Sequence, residues 1–152
     1  MTENLRLLRP YLVMLAVVSV GRWLLGVFAV PYEKGTGILS IVNLTLYASA
    51  FYGVFMRGWR GTRIVRVAAV TTTAGLVAQS VVLLSTVVSH LAGIDSYFVH
   101  PTPLGQPGPV TLAQVLVIRI GGLVVNSVLA GIAGGLGWAL GALLPAPTTS
   151  HS

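Results

Sequence analysis

The sequence predicts an all-α membrane protein: a four-helix transmembrane bundle with both termini in the cytoplasm. Three observations predict it. The 152 residues are 55% hydrophobic and only 8% charged, against about a quarter charged in a soluble domain. The apolar residues are gathered into four long runs separated by short polar stretches. Six basic residues, Arg6 and Arg9 before the first run and Arg57, Arg60, Arg63 and Arg66 around the second connection, fall on one side of such a bundle, as the positive-inside rule requires.

Residues 1–152 read as a single transmembrane domain. The first span covers about Tyr11 to Val30, with Pro10 suited to a first turn and Pro31 ending the run. Its basic start invites comparison with a signal peptide. Arg22 interrupts the apolar core, however, and no Ala-x-Ala site follows, so the segment reads as an uncleaved helix. A polar turn from Pro31 to Gly37 leads to the second span, about Ile38 to Met56. The basic loop Arg57 to Arg63 precedes the third, about Ile64 to Gly93. A loop with Pro101, Pro103, Pro107 and Pro109 precedes the fourth, about Val110 to Leu144. That last run exceeds the ~20 residues a crossing needs, so one end projects or bends. Four spans return the chain to its starting side. The expected location is the inner, cytoplasmic membrane, multi-pass, with Trp59, Tyr32 and Tyr97 at the two interfaces.

Composition excludes several functions. The net charge of +6 is a topology signal rather than a nucleic-acid footprint, since no aromatic-interleaved basic surface exists outside the Arg57–Arg66 loop. The chain has no cysteine, which removes disulfides, thiolate metal sites and covalent haem attachment. No paired carboxylates, nucleophile elbow, zinc motif or phosphate-binding glycine loop appears, which argues against an enzyme. The spans contain no carboxylate of the kind proton-coupled transport uses.

Small and polar residues recur at helical spacing within the runs. Asn43 and Tyr47 share a face of the second span, and Thr72, Gln79 and Thr86 a face of the third. The fourth carries Arg119, Gly122, Asn126 and Gly137, with Gly131, Gly135 and Gly141 nearby. Gly122, Gly131, Gly135, Gly137 and Gly141 read as helix-packing positions, within the chain or between copies.

Arg22 and Arg119 are the exceptions to the exclusion of charge. Each lies about nine residues from the outer end of its run, or about 13 Å deep. A guanidinium in hydrocarbon costs from ~2.5 to more than 10 kcal/mol, so it needs a counter-charge or a watery cavity. Glu33 and Asp95, at the outer ends of spans one and three, are the candidate counter-charges. Asn43, Gln79 and Asn126 are the candidate polar companions in a binding centre. His90, near the outer end of span three, is a candidate ligand or partner contact, with His100 beyond it.

Three readings follow. The leading one is a non-enzymatic membrane protein, self-associated or a small subunit of a membrane complex, with lipid and other membrane chains as partners and no cofactor. The second is a small channel, transporter or binder for an anionic solute or lipid headgroup, using Arg22 and Arg119. The third is a redox subunit holding haem or quinone near His90. No metal site is expected.

Overall fold

A computed structural model describes residues 2–35, 39–105 and 111–144, with the side chains of residues 2–5, 33 and 103 outside the described set. The run starts expected at Ile38 and Val110, the carboxylate of Glu33 and the tail from Pro145 lie outside the described residues. The described residues are helical without a strand: α1 (Thr2–Val27), the single turn α2 (Tyr32–Gly35), α3 (Ile41–Gly58), α4 (Ile64–Leu91) and α5 (Leu112–Gly141). A 3-10 turn at Thr102–Leu104 lies between α4 and α5. Three of the four long helices, over Arg6–Val27, Ile64–Leu91 and Leu112–Gly141, are long and apolar enough to cross a membrane. The remaining one, α3, has 18 residues and carries Asn43, Tyr47, Tyr52 and Arg57, which dilute its apolarity.

The helix ends have local causes. Pro10 lies inside α1 rather than in its first turn, because the polar segment from Thr2 is already helical and loses only one backbone bond to the missing N–H. α1 ends where Val30 N–H bonds back to Leu25 and Ala29 N–H to Gly26, with Ala29 left-handed at φ 52°. Ser40 caps α3 by accepting from Asn43 N–H at 3.3 Å. Thr111 and Gln114 form a reciprocal capping box at the start of α5.

α3, α4 and α5 form the tightest part of the bundle. A Cβ on Gly53 or Gly137 would strike the backbone of the facing helix, at Gly134 and at Ala50 respectively, and one on Gly141 would strike Val54. The pairs Ala50–Gly137, Val54–Gly141 and Gly58–Leu144 advance together along both chains, so α3 and α5 run parallel. α4 runs against them, pairing Gly75 with Ser127 and Thr72 with Gly131. Such close approach maximises dispersion contact between the helix backbones. α1 packs outside this triad through a stripe of Leu8, Tyr11, Leu15 and Ser19. Two phenols anchor it. Tyr11 OH lies 2.9 Å from Thr45 Oγ1 and donates to the Ala74 carbonyl at 3.2 Å, and Tyr52 OH donates to Leu7 at 3.0 Å.

The end bearing α2 and the α4–α5 connection, here the upper end, is built differently. There the segment after α4 folds inward. Ser96, Tyr97, Phe98 and Leu104 are buried, and Gly26 brings α1 against the Ser96–Tyr97 backbone. Tyr97 is thus buried within the chain; its OH donates to the carbonyls of Val30 at 2.8 Å and Pro31 at 2.9 Å. Ser96 Oγ donates to Ser89 Oγ at 2.8 Å. At the opposite end the Arg57 guanidinium stacks 4.6 Å from the Trp138 ring, and Trp138 Nε1 donates to the Thr62 carbonyl at 2.7 Å.

Candidate anion-binding site

A cavity of about 260 Å³ opens at the upper end of the triad, lined among others by Arg22, Arg119, Gln79, Asn126 and Gly122. It exists because α3 starts late. Val42 of α3 and Asn126 of α5 line the same cavity, yet α5 begins at Leu112, about 20 Å higher at 1.5 Å per residue. Above α3's first turn the described residues supply no third helix to the triad, and side chains from α1, α2 and the inward loop line the space.

Arg22 reaches the cavity from α1. Its Nη1 donates to the Leu39 carbonyl at 2.9 Å, and its guanidinium lies 5.8 Å from the Tyr97 ring and 5.7 Å from the Phe98 ring. Arg119 reaches it from α5, where Nη2 donates to the Phe98 carbonyl. Thr86 Oγ1 donates to the same carbonyl at 3.3 Å. Among the described residues each guanidinium therefore makes one hydrogen bond out of the five its N–H groups allow. Arg119 Nε is buried with no partner. Both guanidiniums line one cavity, and the charge of Arg22 bears on Arg119.

The lower wall is polar and underused. Gln79 is only 5% exposed, and a Cβ built on Gly122 would sit 4.0 Å from Gln79 Oε1 and 3.7 Å from Asn126 Nδ2. Asn126 is half-buried, and among the described residues neither carboxamide has a hydrogen-bond partner, so both remain free to bond a cavity occupant. Ser40, Ile41 and Val42, the cap and first two residues of α3, also line the space. A helix leaves the N–H groups of its first turn without internal acceptors, and Ser40 satisfies only that of Asn43. The cavity thus gathers two guanidiniums, two amides and a helix N-terminus. Every one of these is a hydrogen-bond donor or a positive pole.

Among the described residues no carboxylate pairs with either arginine. Asp95 is exposed and lines a separate depression beside Tyr97 and His100. Asn43 points away from the cavity on the exposed side of α3. His90 is half-buried near the end of α4 and outside the cavity. His100 stacks on Tyr32 at 4.5 Å and accepts from Thr102 N–H at 3.3 Å. No group of three or more potential metal ligands occurs among the described residues.

The glycines divide. Gly137 and Gly141 meet α3, and Gly131 meets Thr72 of α4; Gly122 faces the cavity, and Gly135 faces nothing within 4 Å. Sequence reasoning missed Gly53, Gly75 and Gly134, which are as closely packed. It also missed Phe98, buried at 1% exposure and touching both arginines. The available signal was an aromatic pair, Tyr97-Phe98, inside an otherwise polar loop. No family model, curated protein or solved structure matches the chain.

Proposed function

We propose that this chain is an integral membrane protein, with both termini cytoplasmic in an inner-type membrane, that binds an anionic group in the cavity between Arg22 and Arg119. The observation that carries the reading is convergence without compensation. Two guanidiniums, a 95%-buried glutamine, Asn126 and the start of α3 point at one space, and no described carboxylate answers them. Arginines kept only for structure would be saturated by carboxylates or carbonyls. These are poised for an oxyanion, whose geometry suits the guanidinium fork.

The test is ligand-induced stabilisation of the full chain in neutral detergent. The panel is inorganic phosphate, sulfate, acetate and phosphatidylglycerol. A ligand at about a hundred times its Kd stabilises a protein by about 2.7 kcal/mol. Wild type is expected to gain stability from at least one panel member, and Arg22→Gln and Arg119→Gln from none. If the whole panel leaves wild type unmoved, the reading is wrong. A second reading, self-association, rests on Gly121 and Gly135, where a side chain would meet nothing within 4 Å. Crosslinking in native membranes tests it, and a purely monomeric product removes it.

A further inference from the structure

The occupant can be specified further from the level at which the cavity lies, given the anion-binding reading above. α3 has 18 residues, or about 27 Å, close to the ~30 Å thickness of a bilayer's hydrocarbon. α4 and α5 have 28 and 30 residues, about 42 and 45 Å at the same rise, and overshoot it. α3 also carries the markers of a boundary at its lower end. Arg57 is in its last turn, and exposed Trp59 and Arg60 follow it, the aromatic and basic residues that settle at a membrane interface. With α3's lower end at one interface, its N-terminus falls at the other. The cavity sits directly on that N-terminus, bounded by Ser40, Ile41 and Val42. Its floor therefore lies at the upper boundary set by α3, within reach of lipid phosphates, while α5 exposes Val117, Ile120 and Val124 beside Arg119.

We propose that the cavity holds the phosphate of an anionic membrane phospholipid, seated on the N-terminus of α3 between Arg22 and Arg119. A volume of about 260 Å³ accommodates a phosphate and its immediate substituents and leaves acyl chains outside. Below the cavity α5 exposes Val125, Val128 and Leu129, an apolar surface for those chains. The headgroup is one without an ammonium, since no described carboxylate lines the cavity to receive it.

Native mass spectrometry of the full chain, released from vesicles of phosphatidylglycerol and phosphatidylcholine, tests this. One phosphatidylglycerol is expected to stay bound, in preference to phosphatidylcholine. Arg119→Gln should cut its retention by about tenfold or more, in line with lost charge-assisted hydrogen bonds. Gly122→Leu, which fills the cavity and keeps both charges, should do the same with the helical circular dichroism unchanged. Lys34→Gln and Arg60→Gln, outside the cavity lining, should retain the lipid as wild type does. Equal retention by wild type, Arg119→Gln and Gly122→Leu overturns the proposal. If inorganic phosphate stabilises wild type but not Arg119→Gln while no lipid is retained, the lipid assignment falls and the anion pocket stands. If neither probe binds, both fall.

Discussion

Arg119 is the residue where stability and function part. A guanidinium with one hydrogen bond and a buried, unpartnered Nε contributes little to holding helices together. Removing a charge that no described carboxylate answers relieves desolvation and the repulsion from Arg22. Arg119→Gln is therefore expected to melt at or above the wild-type temperature when no ligand is added. A loss of several kcal/mol in a detergent unfolding titration would mean that the guanidinium is a structural tie. Ala29 gives an independent check. It holds φ 52° where glycine usually ends a helix, and an L-residue in that region costs roughly 1–2 kcal/mol. Ala29→Gly should stabilise the chain by up to about 1 kcal/mol, after glycine's greater unfolded-state entropy is subtracted.

At the scale of elements, the α3–α5 seam bears the heaviest packing constraint. Gly137 meets the Ala50 backbone with no room for a side chain. Gly137→Leu should separate the helices and destabilise the protein by about 1–3 kcal/mol, the usual range for overpacking. Gly135→Leu, with nothing within 4 Å, should cost far less, and parallel unfolding curves of the two variants would show the contrast. The sequence exposes this architecture unevenly. Long apolar helices were legible because a run without charge has few other solutions in lipid. Gly137 and Gly141 were legible as small residues on one face, but Gly53 was not, because its need for smallness comes from a facing backbone remote in sequence. The two arginines were legible as anomalies. They lie nearer their helix ends than the expected runs implied, since α1 ends at Val27 and α5 starts at Leu112. Gln79 and Asn126 were legible as companions of the arginines, whereas Asn43 was not separable from them by spacing alone. The role of Phe98 was not legible, since nothing local tells a loop aromatic to turn inward.

At the scale of the whole molecule, the proposed topology makes a direct prediction. The chain contains no cysteine, so single cysteines introduced at exposed Arg63 and exposed Asp95 are unique reporters. In intact cells a membrane-impermeant maleimide should label the second and spare the first until the membrane is opened. Labelling of both, or of Arg63→Cys alone, would refute the both-termini-inside arrangement. The parallel run of α3 and α5, with α4 between them in sequence, follows from the same layout.

The meeting of both arginines at Phe98 has a further consequence in the order of synthesis. Chains emerge from the ribosome N-terminus first. Arg22 is made before the Leu39 carbonyl that accepts from it and before the Phe98 ring beside it. Arg119 is made after its acceptor, the Phe98 carbonyl, and after Gln79 and the start of α3. The last helix thus arrives at a prepared berth, while the first must wait for its mooring.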